Sequence, residues 1–330
     1  MDPSAPQHDV LPAELQRRRI MIVGDIHGCA DEFRDLLDEF REPDDVLICV
    51  GDLVNKGPKN AEVVPLARGL GAFAVCGNHE LAVLRGWTAR QARPDAEPHF
   101  AWTDAMHTDD VEYIRQLPYT ISLPLHGAVV VHAGLIPGVP LEEQTPFNMV
   151  AMRNITVATK GNGKGNGGGN SKYGYTALEG EAPGADAWAP LYRGHAGHVF
   201  FGHDAKRQLQ LCPHATGLDT GCLYGNRLTA AILELGKPTR LVSVQARRAY
   251  VDTGAPPMPP HQKPPKNFSR RGVSTVTARR FSSVAAAIEP RSSTCCSLLG
   301  LAAGLGVGLV AASRWADGGS SAQAQAAAER

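Results

Sequence analysis

The sequence lacks any Cys-x-x-Cys pair, any net charge and any apolar leader at its start. Its seven cysteines (Cys29, Cys49, Cys76, Cys212, Cys222, Cys295 and Cys296) are odd in number and have no paired spacing, so their spacing indicates neither a disulfide framework nor a structural zinc motif. Several lie in apolar runs, where a reduced buried thiol is ordinary, and a cytosolic catalytic part is expected. Arg17, Arg18 and Arg19 precede only a five-residue apolar run, too short for the apolar region of a signal peptide. The zero net charge hides a division. Residues 1–246 hold 22 Lys and Arg against 29 Asp and Glu, whereas residues 247–330 hold 11 against 4. The acidic part suits bound cations and the basic tail suits an anionic surface.

What is present is enough apolar material, 43% of 330 residues, for one large domain with appendages or for two domains. Short apolar runs recur at 20–23 (IMIV), 46–50 (VLICV), 73–75 (FAV), 129–131 (VVV), 199–201 (VFF) and 241–244 (LVSV). Near-continuous apolar strands belong to sheets covered on both faces. Between the first two runs, Phe33, Leu36, Leu37 and Phe40 recur at helical spacing, with Asp31 and Glu32 near the start of the predicted helix. Pro58 opens a second predicted helix that Pro65 interrupts, so this helix is expected to be kinked or short.

The predicted organisation is a disordered N-terminus over 1–18 and a folded domain over 19–248, with a disordered Gly/Asn insertion at about 160–171. A Pro-rich and then basic linker follows over 249–294. Residues 295–314 read as a candidate membrane anchor, with 315–330 as a tail. From Ser297 to Ala312 no charge occurs, Arg291 and Arg314 flank the run, and Gly300, Gly304 and Gly308 form a small-residue stripe. A membrane partner through 297–312, facing the cytosol, is therefore expected. The alternative is a flexible Ala/Gly-rich tail.

The chemistry sits at strand ends. GDIHG (24–28), GDLVNKGP (51–58), GNHE (77–80), HAG (132–134) and GHD (202–204) each follow an apolar run with a glycine-flanked Asp, Asn or His. Ligands of α/β sheets gather outside the carboxyl ends of strands, so these loops can converge on a metal site.

This series resembles the metallophosphoesterases of the phosphoprotein phosphatase superfamily. The resemblance implies an α/β fold of two mixed β-sheets packed face to face and flanked by helices. It implies that Asp25 and His27 bind one divalent metal, Asp52 bridges, and Asn78, His132 and His203 bind a second. Two such ions activate water for in-line phosphoryl displacement. Oxygen and imidazole donors without thiolate suit Mn, Fe or Zn. His79 falls where the family has its general acid.

Protein Ser/Thr phosphatases orient that histidine with an Asp and carry a phosphate-binding Arg before GNHE. Here Asn55 and Cys76 stand at those places, and Lys56 replaces a further Arg. Asn55 is expected to accept a hydrogen bond from the imidazole while supplying no charge. Through GDLVNKGP, VVHAGLIP, MRNI and FGHDAKRQLQL the chain is more similar to the symmetrical diadenosine tetraphosphatases and the ApaH-like phosphatases. That resemblance implies a phosphoanhydride substrate (polyphosphate, a dinucleoside polyphosphate or a cap-like structure) and makes Lys56, Arg153, Lys206 and Arg207 candidate phosphate contacts. No sequence-specific nucleic-acid binding is expected. His195 and His198 read equally well as loop residues. The rival readings are a protein Ser/Thr phosphatase and a non-catalytic phosphate-binding adaptor tethered to a membrane.

Overall fold

Strands β1 (His8–Val10), β2 (Ile20–Val23), β3 (Val46–Cys49) and β4 (Phe73–Ala74) alternate with helices α1 (Ala13–Gln16), α2 (Ala30–Phe40) and α3 (Asn60–Gly69). Helices α4 (Asn78–Ala92) and α5 (Thr108–Arg115) lead to β5 (Thr120–Leu123) and β6 (Ala128–Val131). Helix α6 (Pro146–Ala151) precedes four short strands, β7 (Asn154–Val157), β8 (Gly169–Asn170), β9 (Tyr175–Leu178) and β10 (Asp186–Ala187). Helix α7 (Trp188–Leu191) is followed by β11 (His198–Phe201), β12 (Gln210–Cys212), β13 (Ala215–Gly217), β14 (Arg227–Leu233) and β15 (Arg240–Gln245). This computed structural model describes residues 8–93, 100–157, 169–170 and 173–251, all within the unit Met1–Ser274.

Among the described residues the strands form a six-stranded sheet (β1-β5-β6-β11-β13-β12), a five-stranded sheet (β15-β14-β2-β3-β4) and a small four-stranded sheet (β10-β7-β9-β8). The alternation of side chains along each strand explains the layering. Ile20, Ile22, Val46 and Ile48 of the five-stranded sheet share one core cluster with Ile121, Val130 and Phe200 of the six-stranded sheet, so the two sheets pack face to face. Met21, Val23, Leu47 and Cys49, one residue out of phase, pack against Phe33, Leu36, Val63 and Val64 of α2 and α3. Val129, Val131, Val199 and Phe201 do the same on the far side of the six-stranded sheet, against Met149, Trp188 and Tyr192. Both faces of the central strands are thus buried, at about 1.5–3 kcal/mol for each large apolar side chain. This is why their sequences read as unbroken apolar runs.

Three expectations change. The segment before Arg19 is not wholly disordered: β1 pairs parallel with β5, Leu11 enters the inter-sheet core, and buried Gln16 bonds the Leu11 carbonyl and the Leu125 amide. A three-residue edge strand is too short to show periodicity. Helix α3 starts at Asn60 and runs ten residues through Pro65. Of the Gly/Asn tract, Gly169–Asn170 pairs antiparallel with β9, and residues 160–168 lie outside the described residues. The linker from 252 onward and the candidate anchor 297–312 also lie outside them. Among the described residues no helix is long and apolar enough to cross a membrane.

Candidate active site

Strands β2, β3 and β4 run parallel, as do β6, β11 and β13, so their carboxyl ends open at common edges of the two sheets. Asp25 and His27 follow β2, Asp52 follows β3, Asn78 and His79 open α4 just after β4, His132 follows β6 and His203 follows β11. All six residues expected to bind metal are brought together, and the junction is tight. The amide of His203 donates to both carboxylate oxygens of Asp25 (3.2 and 3.0 Å). A side chain on Gly202 would collide with Asp25 Oδ1 and approach Val50 Cγ2 to 2.7 Å.

Asp52 sits at the centre. Its Oδ2 faces His27 Nε2 at 3.5 Å and His79 Nε2 at 4.0 Å, and its Oδ1 faces His132 Nε2 at 3.4 Å. Asn78 Oδ1 lies 3.1 Å from His132 Nε2. Two groups of donors, His27–Asp52–His79 and Asp52–His132–His203, therefore share one carboxylate.

Backbone carbonyls orient the rings. His132 Nδ1 donates to Val50 O (2.9 Å), His27 Nδ1 to Val54 O (3.4 Å) and His203 Nε2 to Ala151 O (3.0 Å). Each bond leaves the opposite ring nitrogen with a free lone pair, the form a metal requires. Burial holds His27 down to about 4 and His203 well below the ordinary histidine value, so both rings are neutral at pH 7. Burial would also lower His132, but Asp52 facing it outweighs burial and raises it. Burial opposes ionisation of Asp52 too, yet His132 foremost, with His27 and His79, keeps it well below the usual carboxylate range. Burial pushes Asp25 well up, with Asp219 and Asp52 adding to the rise. A buried carboxylate held up against its neighbours, beside neutral imidazoles, is a site that a cation would relieve. The residues fit a divalent pair bound by nitrogen and oxygen.

The backbone is strained where the donors sit. His27, Asp52, Asn55, Lys56 and His203 all adopt positive φ (47°, 50°, 76°, 68° and 68°), at a cost of order 1–3 kcal/mol each. Glu80 compensates in part. It is fully buried, and its carboxylate accepts the amides of Asp52 (2.8 Å), Leu53 (2.8 Å) and Gly77 (2.9 Å), holding the Asp52 turn against the start of α4. Burial and then Asp52 push Glu80 up to about 7.

Asn55 does contact His79, but in the opposite sense to that expected. Its Oδ1 accepts the Lys56 amide (2.9 Å), so its Nδ2 donates to His79 Nδ1 (2.8 Å). The ring then carries its proton on Nε2, the nitrogen facing Asp52. Burial, partly offset by Asp52, lowers the His79 pKa.

A cleft of about 1290 Å³ opens over this centre, and Lys56, Arg153, Lys206 and Arg207 all line it. They are not equivalent. Arg153 donates to His203 O (3.2 and 3.0 Å) and pairs with Glu179 at 3.4 Å. Arg207 is held by Asp204 and Asn154 at 2.6 Å each, which ties it to the wall. Lys56 and Lys206 are exposed. His195 donates to Val139 O and His198 meets Thr216, and neither lines the cleft. Sequence reasoning missed Asp219 and Tyr224, which do. Asp219 follows β13 in the same strand-end pattern (GLDTG), and burial lifts it to about 6.

Several known proteins are similar to this chain. A crystal structure described as a "putative diadenosine tetraphosphatase" superposes with a TM-score of 0.61 at 36% identity, covering 73% of this chain and 98% of that one. The bis(5'-nucleosyl)-tetraphosphatase, symmetrical, of Janthinobacterium sp. (strain Marseille) is 28% identical over 291 residues, 74% of this chain and 98% of the relative. Its namesake from Nitrosococcus oceani is 39% identical over 123 residues, 36% of this chain, so the chain spans less than half (44%) of that relative's length. The sequence profile of the calcineurin-like phosphoesterases matches residues 18–207. With two sheets in face-to-face contact and these strand-end donors at their junction, the chain belongs to the calcineurin-like phosphoesterase family.

Proposed function

We propose that this chain is a dinuclear-metal hydrolase of phosphoanhydride bonds. Asp25, His27 and Asp52 would hold one divalent ion and Asp52, Asn78, His132 and His203 the other. When bound, such a pair activates water and neutralises charge on the transferring phosphoryl group. The chain's own residues do the rest. Lys56 and Lys206 meet the phosphate chain from the cleft, and Arg153 steadies the His203 loop beside it. His79 turns Nε2 toward the centre, where it serves the departing oxygen.

The observation that carries the reading is the Asn55–His79 bond. From a phosphoserine the serine leaves as an alkoxide and needs a histidine that still carries its extra proton at working pH. A phosphoanhydride leaves as a phosphate, whose second pKa is about 6, and needs little help. A histidine partnered by a neutral amide and lowered by burial is a weak holder of the extra proton. It suits the second leaving group. The names of the relatives, symmetrical and asymmetrical bis(5'-nucleosyl)-tetraphosphatases, agree with this. A purely phosphate-binding adaptor is disfavoured because the full donor set is present and oriented.

The test is the purified full chain, supplied in turn with Mn, Zn, Mg and Co. Polyphosphate, diadenosine tetraphosphate, capped RNA and a phosphopeptide are its substrates. At least one anhydride should be turned over with higher kcat/KM than the phosphopeptide. The reverse order would return the chain to the protein phosphatases.

A further inference from the structure

Next to the catalytic centre, at the start of α2, where the Cys29 thiol donates to the His27 carbonyl at 3.9 Å, lies a second cluster of donors: Cys29, Glu32 and Cys222. Their ligand atoms all lie within 4.8 Å of one another. All three residues are buried, Cys29 and Glu32 completely and Cys222 to within 2%. Glu32 Oε1 accepts the Arg247 amide (2.9 Å) and the Tyr250 hydroxyl (2.7 Å), but Oε2 has no hydrogen-bond partner among the described residues. An unpartnered carboxylate oxygen in a dry interior costs about 1–3 kcal/mol or more, and this one shares its pocket with two thiols.

We propose that Cys29, Glu32 and Cys222 form a metal site, distinct from the catalytic pair, that takes a thiophilic divalent cation such as zinc. Two sulfurs and a carboxylate match the donors of zinc, whereas the catalytic centre offers only nitrogen and oxygen. Binding exchanges the thiol protons for the cation and needs no oxidant. The site joins segments that are far apart along the chain and share one core. Cys29 is two residues beyond His27, Glu32 lies in α2, and Cys222 is three residues beyond Asp219 in the loop before β14. Through Oε1 of Glu32 the ion would also brace residues 247–251, where Ala249 and Val251 line the cleft. The spacing of the cysteines does not reveal such a site because one thiol ligand lies far along the chain from the other.

Cobalt reports on it directly, since thiolate-to-cobalt charge transfer gives an intense near-ultraviolet band that nitrogen and oxygen ligands do not. The reduced full chain loaded with cobalt should show this band. Cys29→Ser and Cys222→Ser should each lose it while keeping the weaker visible bands of the catalytic centre. Metal analysis after zinc loading should find one ion fewer per chain in either variant. In Asp52→Asn, whose catalytic pair is disabled, one tightly held zinc should persist. Glu32→Gln keeps both thiols and the bonds to Arg247 and Tyr250, and should hold zinc more weakly. The proposal is overturned if folded wild type shows no thiolate band, if the band survives both cysteine variants, or if the isolated chain carries a Cys29–Cys222 disulfide and no zinc there.

Discussion

The two large sheets contribute to the centre in different ways. The five-stranded sheet supplies Asp25, His27, Asp52, Asn78 and His79 from three neighbouring parallel strands, each donor inside a short glycine-flanked motif. The six-stranded sheet supplies His132, His203 and Asp219, one residue per strand. Its rings are set by bonds that cross between sheets or elements, from His132 Nδ1 to Val50 O and from His203 Nε2 to Ala151 O, and the His203 amide ties the loop to Asp25. The first half holds one donor group, His27–Asp52–His79, by itself, whereas the second group needs Asp52 of the first half beside His132 and His203. The first carries most donors, and the second closes the centre and fixes its geometry.

Four experiments break or sharpen this contrast. The largest effect is expected at the residue facing both halves. Asp52→Asn is isosteric but uncharged, and losing several kcal/mol of metal-derived stabilisation should lower kcat by roughly 1,000-fold or more with the fold kept. Steady-state rates beside a circular dichroism spectrum decide it, and near-normal turnover in a folded variant would sink the site.

Next comes the junction itself. Gly202→Ala drives a methyl group into Asp25 Oδ1 and Val50, so overpacking should cost about 1–3 kcal/mol in urea unfolding and lower activity in parallel. Unchanged stability would mean that the sheets have room to part there.

Chelation should lower the thermal midpoint by roughly 5 °C or more, and more at pH 8 than at pH 6. In the metal-free fold Asp25 is raised, Glu80 lies at about 7 and Asp219 at about 6. Raised acids are ionised and mutually repelling above those values and take up protons as pH falls through them. The metal-free fold recovers accordingly, and the gap to the loaded fold narrows. His27, at about 4, is neutral across this window and leaves the gap unchanged. Calorimetry at both pH values, with and without chelator, measures the gap, and equal gaps would contradict this account.

The smallest effect is expected from Asn55→Asp. A carboxylate beside His79 Nδ1 should raise its pKa, and a group that acts while protonated then stays active to higher pH. The alkaline limb of the kcat/KM profile should move up. A fixed limb would mean that Asn55 does not act through His79.

Legibility followed locality. Strands buried on both faces announced themselves as apolar runs, and α2 was readable from Phe33, Leu36 and Leu37. The five strand-end motifs were visible because a donor beside a glycine is a local pattern. Strand β14 was not, because the Ala-rich RLTAAIL favours helix and becomes a strand only by pairing with β2 and β15. Asp219 was hidden behind β13, whose ATG is too short and too small to read as a strand. The direction of the Asn55–His79 bond depends on the Lys56 amide taking the other end of the side chain, a competition that only geometry reveals. The burial of Glu80 under three backbone amides is likewise a tertiary fact.

Strand order also carries a consequence for how the protein is made. Strand β2, which leads into Asp25 and His27, lies between β3 and β14, and β14 is the last strand but one among the described residues. On the ribosome the N-terminal motifs therefore emerge long before β2 gains its second neighbour and before His203 meets Asp25. During that interval β2 is an open edge with a partial set of donors, able to pair with the wrong strand or to take up a single ion loosely. Synthesis of the β14–β15 hairpin covers that edge after His203 has been supplied, so a chain stopped short of it lacks the covering strand.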